Sequence, residues 1–412
     1  MPSRKAASPD DAESGQSRLG GLATPRQAAR LAHSAMNRTA SLLAALLSVS
    51  PLVDAQVFET REHAVRIVTV TEGLERPWGL AFLPDGRMLV SERPGRLRVV
   101  GRDGRLDPVP VAGLPRVDAQ GQGGLLDVVL HPKHRDNGWI YWSYAQRDGA
   151  GDNGTEVARG RLGGGPGAWK MENVEVVFRM APKSNSGFHF GSRLLFDRQG
   201  LLYVTLGDRG EMARAQRLDD HAGKILRLTD DGRPAPGNPF LGDPKAKPEI
   251  FALGNRNVQG AALNPATGVL WAHEHGPQGG DELNVIRAGV NYGWPVITYG
   301  VNYVSGTKIG EGTGKPGMAQ PVKYWVPSPA LSGMAFYEGD RFPKWRGNVL
   351  IGSLRGHGVI RVRLDGEKFV EDEFMLSGAV ARIRDVRVGP DGLVYLLTDQ
   401  PNGAILRLEP AG

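Results

Sequence analysis

From Gly79 to Asp399 one short pattern keeps returning: an apolar-rich run alternating with period two, a turn rich in Pro, Asp or Gly, and a second run ending on a polar residue. The first copy reads Gly79-Leu-Ala-Phe-Leu-Pro-Asp-Gly-Arg-Met-Leu-Val-Ser-Glu92, and the last Val386-Arg-Val-Gly-Pro-Asp-Gly-Leu-Val-Tyr-Leu-Leu-Thr-Asp399. Between them lie Leu126 to Ala145, Arg193 to Asp208, Gly260 to His275 and Gly333 to Leu354, which makes six copies. Successive side chains on a strand face opposite sides, so each copy predicts a β-hairpin. A further strand follows, as in Gly95 to Val100, Gly223 to Leu228, Gly358 to Arg363 and Gly403 to Leu408. Six such units predict an all-β chain folded as a six-bladed β-propeller, in which radial repetition protects the sheet edges. A β-sandwich also uses many short strands, but it does not repeat one hairpin six times with near-identical turn chemistry. Inserts at 209–221 and 299–325 imply loops of unequal size, and such loops tend to carry function.

In a hairpin, the start of the first strand and the end of the second lie at the same end, opposite the turn. The unusual polar residues sit at those ends. Gln122 precedes the second hairpin; His189 precedes the third and Asp208 closes it; Arg256 and Asn257 precede the fourth and His275 closes it; Arg355 follows the fifth; Arg382 and Arg384 precede the sixth. They are expected to meet at one mouth of the central channel. Several guanidiniums without matching acids there suit a polyanionic ligand, because arginine presents a planar fork to carboxylates. His189 with Asp208 can act as a base whose tautomer is fixed by a carboxylate. Taken singly, the arginines also fit loop ion pairs and the histidine a buried group bonded to backbone. His273 and His275 stand two apart and could share one face, but no third His or Cys is near, which argues against zinc. The turn His275-Gly-Pro-Gln-Gly-Gly-Asp-Glu282 offers backbone carbonyls and two carboxylates, the oxygen donors calcium prefers.

Composition narrows the class. Glycine, 57 of 412 residues, is about twice the usual share without any collagen-like period, as expected for many tight turns. Cysteine is absent, which excludes disulfides, iron–sulfur clusters and a thiol nucleophile. The formal charge of +6 spreads over 50 basic and 44 acidic residues without basic runs, so no nucleic-acid arm is expected. Residues 1–55 read as a leader: 35 polar and small residues, then Met36-Asn-Arg38, an apolar run through Leu42 to Leu47, and Val53-Asp-Ala55. Met36 is a candidate start, cleavage after Ala55 would leave Gln56 first, and the run is too short to span a bilayer. The expectation is a periplasmic or secreted protein with a single domain over 56–412.

Seven stretches in chain order resemble the PQQ-dependent glucose/sorbosone dehydrogenase family, and within it the soluble aldose sugar dehydrogenases. They are Gly121 to Leu126, His189 to Arg193, Leu206 to Gly210, Gly254 to Gly260, Glu274 to Glu282, Gly289 to Pro295 and Arg382 to Asp385. The resemblance covers the chain from about Val65 onward. It implies a six-bladed propeller carrying pyrroloquinoline quinone (PQQ) and calcium, and oxidation of the anomeric hydroxyl of aldoses to lactones. His189 then resembles the general base, Asp208 its orienting carboxylate and Arg256 the cation facing the reduced quinone oxygen. Gln122, Asn257, Arg355, Arg382 and Arg384 resemble PQQ contacts. The carbonyls of Gly276 and Pro277 resemble calcium ligands, and Glu282 with Tyr292 those of a second calcium. Arg355 stands where some members carry Lys, and His275 points to the broad-specificity aldose subgroup. The segment 299–325 is too short for the dimer-forming insert of the glucose enzyme, so a monomer is expected, handing electrons to an external quinone or cytochrome. A calcium-dependent sugar-lactone hydrolase, or a propeller that only binds glycans or proteins, uses the same fold.

Overall fold

A computed structural model describes residues 56–412; the leader and its cleavage point after Ala55 lie outside the described residues. Six antiparallel sheets follow one another along the chain. Blade 1 holds three strands, Pro77–Phe82, Met88–Glu92 and Arg96–Val100. Blades 2 to 5 hold four each, opening on Leu125–Leu130, Leu194–Phe196, Val258–Leu263 and Leu331–Phe336. Blade 6 opens on Ile383–Val388, continues through Val394–Thr398 and Gly403–Pro410, and is then completed by the N-terminal strands Ala64–Leu74 and Val57–Glu59. The opening strands pack against one another in turn, and those of blades 6 and 1 close the ring.

The ring is therefore locked by pairing the two ends of the described chain. Ala64–Leu74 runs antiparallel to Gly403–Pro410, with Val65 opposite Pro410, Ile67 opposite Leu408 and Leu74 opposite Gly403. The hairpin rule reads only neighbouring segments, so it does not foresee this strand, nor the outer strands of blades 2 to 5.

Stacked blades bury both faces of their inner strands. Met88–Glu92 is buried at every residue, whereas the outer strand Lys170–Arg179 alternates between exposed and covered positions. Val65, Val386, Val394, Leu396 and Leu408 share one cluster with Trp345 and Phe342 of blade 5. Leu408→Ala is expected to cost about 2–5 kcal/mol, the range for emptying a buried leucine site, measured by urea unfolding. A loss under 1 kcal/mol would mean that the closure strand contributes little to the lock.

The channel itself is plugged by charge. Arg193 of blade 3 lies 3.1 Å from both Asp127 of blade 2 and Asp385 of blade 6, and Arg387 reaches the same two carboxylates at 2.7 and 2.8 Å. Two anions and two cations satisfy one another there, as buried charges require. Arg193 also lies over the Trp78 ring of blade 1 at 4.4 Å. The guanidinium of Arg193 donates to the carbonyl of Gln259, which lines the cavity at the channel mouth.

Candidate active site

The loops that lead into the opening strands place polar side chains around a cavity of about 350 Å³ at the mouth opposite the Pro-Asp-Gly turns. Gln122, Asn257, His275, Arg382 and Arg384 line it, as the strand-end argument predicts. Trp78, Leu126, Phe190 and Leu354 supply apolar wall. Reading strand ends missed Arg76, Arg93, Gln259 and Asp399, which also face this space.

Asp399 corrects the expectation of arginines without matching acids. Its Oδ2 accepts from Arg382 and from Arg384, each at 3.0 Å. Although burial pushes the Asp399 carboxyl up, the two guanidiniums hold it below its ordinary range. Arg384 is the better buried of the pair, at 13% side-chain exposure against 47% for Arg382. With one carboxylate for Arg76, Arg93, Arg382 and Arg384, the lining keeps a cationic excess.

Arg355 is not brought into the cavity. Its side chain is exposed; its backbone N–H bonds to the Pro329 carbonyl, and its neighbour Leu354 faces the site instead. The turn after Ser353 decides this, and residue spacing does not encode it.

His189, with φ +50° in an irregular segment between blades 2 and 3, does not itself line the cavity; it stands beside it, because its chain neighbours Phe190 and Gly191 and its hydrogen-bond partner Gln122 do. Gly207 must be a glycine here, because a side chain would collide with the backbone of His189. The His189 ring is held at Nδ1 by Asp208 Oδ1 at 2.6 Å. A carboxylate only accepts, so Nδ1 carries the proton and Nε2 is left with a lone pair. Asp208 is fully buried and also accepts from the Gly210 N–H and the Trp294 indole N–H, both at 2.7 Å. Burial opposes its charge, but His189, the Gly210 N–H and Arg256 hold its carboxyl below the ordinary range. Burial pushes the His189 imidazole down; Asp208 opposes this, while Arg256 and Arg209 add to it. A histidine held neutral by its surroundings is suited to take a proton. Trp294 lies inside a stretch quoted from the sequence, yet only the fold reveals that it holds Asp208.

Arg256 lines a separate pocket of about 10 Å³ with Glu274, His275, Gly276, Glu282 and Tyr292, and of these only His275 also lines the larger cavity. Its Nη1 donates to the His275 carbonyl at 3.1 Å and its guanidinium lies 5.4 Å from the Trp294 ring. Glu274 and Glu282 face each other across paired strands. Burial, and for Glu282 the neighbouring carboxylate, pushes both carboxyls up. Glu274 accepts from the backbone N–H groups of Arg256 and Asn257 and from the Asn255 amide, whereas among the described residues Glu282 accepts only from Asn284, at 3.2 Å. A second carboxylate so poorly compensated suits a small cation, and the pocket has room for about one atom of that size. The Tyr292 hydroxyl donates to Val285 and accepts from Arg287, so only its carbonyl is free to serve as the expected ligand. At Gly276 a side chain would collide with the carbonyls of Gly279 and Gly280, so this turn is a cradle of oxygens that fits calcium.

His273 and His275 both reach towards the opening strand of blade 5, His275 at Leu331 and His273 beside Ser332, so they lie on one side without forming a metal site. The strand ends at Glu274, His275 Nε2 bonds to the Leu331 carbonyl, and His273 stays inside, packed on Gly260. Among the described residues no cluster of three or more His, Cys, Asp or Glu side chains could hold a metal.

The glucose/sorbosone dehydrogenase family profile matches residues 74–407. The chain is 46% identical to an aldose sugar dehydrogenase of Escherichia coli over 349 residues, covering 84% of this chain and 93% of that one. It is 27% identical to quinoprotein glucose dehydrogenase B of Acinetobacter calcoaceticus, covering 85% and 88%. Among solved structures, the apo soluble aldose sugar dehydrogenase of E. coli aligns with a TM-score of 0.81 at 44% identity, over 84% and 99% of the two chains. The PQQ-bound aldose sugar dehydrogenase of Streptomyces coelicolor aligns with a TM-score of 0.70 at 32% identity, over 84% and 97%.

Proposed function

Because the chain belongs to the glucose/sorbosone dehydrogenase family and is a PQQ-dependent sugar oxidoreductase, we propose that it oxidises the anomeric hydroxyl of aldoses to lactones and passes the electrons to an external quinone or cytochrome. The observation that carries this reading is the His189–Asp208 pair beside a guanidinium-rich cavity, joined to its lining through Gln122 and Phe190. PQQ, a planar tricarboxylate when bound, supplies the two-electron acceptor. Arg382, Arg384, Gln122 and Asn257 would hold it, the arginines through its carboxylates. Nε2 of His189 takes the proton of the anomeric hydroxyl, and Asp208 stabilises the imidazolium that forms. Arg256 brings positive charge to the side where negative charge develops, an electrostatic role that needs no reorganisation. Gly276 and Pro277, through their carbonyls, would hold a calcium beside the cofactor, and Glu282 with the Tyr292 carbonyl a second, structural one.

A lactone hydrolase would need carboxylates and Asn around a metal in the channel; here Asp127 and Asp385 are spent on Arg193 and Arg387. The leader pattern supports a periplasmic or secreted location, and the short 299–325 segment supports a monomer. Among the described residues no helix is long and apolar enough to cross a membrane. Adding PQQ and calcium to purified apo-protein is expected to give dye reduction with several aldoses. No activity with any aldose would remove this reading.

The metal assignment has its own test. Calorimetric titration of apo-protein with calcium is expected to resolve two sites, and Glu282→Gln to lose one. Parental titration in the variant would exclude Glu282 as a ligand.

A further inference from the structure

Arg209 follows Asp208 directly and is only 1% exposed, yet among the described residues no carboxylate pairs with it. Its acceptors are uncharged: the Asn153 side-chain oxygen and the carbonyls of Ser186 and Phe188. Its guanidinium lies over the Phe190 ring at 3.5 Å, and among the described residues its Nε has no partner. Burying a guanidinium without a counter-ion is costly, and a well-packed apolar residue would usually be cheaper. A φ of +61° at Arg209 turns the side chain back beneath the 184–190 segment. What it reaches there gives the cost a purpose. The Phe188 carbonyl and the His189 N–H belong to one peptide group; Arg209 donates to the carbonyl while Gln122 Oε1 accepts from the N–H at 2.9 Å. That peptide is pinned at both ends, and it carries the imidazole that Asp208 grips from the other side.

We propose that Arg209 is a positioning residue for the base: its fork fixes the peptide before His189, and its buried charge stands beside the imidazole that Asp208 grips. The proposal rests on His189 acting as the base. Charged groups facing the imidazole are Asp208, which favours its protonation, and Arg256 and Arg209, which oppose it. Arg209 itself is faced by Arg214, Asp208, Glu211 and Asp118; burial first, then Arg214, pushes it down to about 9. It is therefore cationic at neutral pH. The two jobs separate by substitution. Methionine keeps the length but removes charge and fork; lysine keeps a charge and loses the fork.

Arg209→Met is expected to lower kcat with an aldose by roughly 10- to 100-fold, the scale of a small misplacement of a reacting group, with KM changed far less. In the apo-protein, NMR titration of the imidazoles reads His189 directly, its signal identified by its loss in His189→Gln. In Arg209→Met that titration is expected to move to higher pH; in Arg209→Lys it is expected to stay near the parent while kcat still falls. A folded Arg209→Met variant with parental turnover, or with a parental His189 titration, overturns the proposal. Should His189→Ala prove fully active, the base assignment falls on its own account, and the apo-protein titration still decides whether Arg209 sets the protonation of His189.

Discussion

Replacing His189 by alanine should reduce turnover about 10²- to 10⁴-fold, the contribution of a positioned general base, while leaving cofactor affinity close to the parent. The split follows from geometry. His189 stands outside the cavity lining, tied to Asp208 and the Gln122 loop, whereas the guanidiniums Arg382 and Arg384 line the cavity beside Asp399. Stopped-flow reduction of the bound quinone by an aldose measures the affected step, and equilibrium titration of the cofactor measures the spared one. The pH profile gives a second reading. Activity requires the neutral imidazole, and burial together with Arg256 pushes that group down, so activity should rise with pH and reach its plateau below the range of an ordinary histidine. Asp208→Asn removes the partner that favours protonation. Its plateau should fall because the imidazolium loses its stabilising anion, and its acid limb should move to still lower pH. Quinone reduction at the parental rate in His189→Ala would end the role of His189 as base.

The sequence reveals this pair because His189 precedes and Asp208 follows the hairpin of Leu194–Phe196 and Leu202–Thr205, so both lie at its end opposite the turn, where geometry is nearly independent of the neighbours. Gln122, Asn257, His275, Arg382 and Arg384 were readable for the same reason. Asp399 was not. Whether it meets Arg382 and Arg384 depends on the pairing of Ile383–Val388 with Val394–Thr398, and that ladder shifts register between Ile383 and Asp385. One extra residue re-aims every side chain beyond it, and no pattern of polar and apolar positions marks where it falls. Glycines at 79 and 333 tell the same story from inside the channel, where side chains would collide with Asp127 and Asp385. A run such as Gly79-Leu-Ala-Phe reads as strand, but not as the wall of a charge cluster assembled from three other blades. The closure by Ala64–Leu74 is harder still, because its partner strand lies some 330 positions away and only ring closure brings the two together.

Removing Arg382 and Arg384 together should weaken PQQ binding far more than removing either alone. Each charged hydrogen bond is worth about 1.5–3 kcal/mol, so two lost bonds give about 3–6 kcal/mol, or roughly 10²- to 10⁴-fold in Kd. Asp399 adds a further penalty. Both guanidiniums neutralise its Oδ2, and with both gone an unpaired carboxylate is left facing the same cavity as an anionic cofactor. Each single variant leaves Asp399 one partner, so the double loss should exceed the sum of the singles, the coupling expected of residues in one ion-pair network. Arg384→Ala should be the more damaging single change, because its side chain is the better buried and water replaces it less well. Asp399→Asn works in the opposite direction: it frees both guanidiniums for the ligand and should leave affinity equal or higher. Fluorescence titration of apo-protein with PQQ at fixed calcium and fixed ionic strength measures all four variants on one scale. Parental affinity in the double variant would place the carboxylates of the cofactor elsewhere, with Arg76 and Arg93 the remaining cations of the cavity able to meet them.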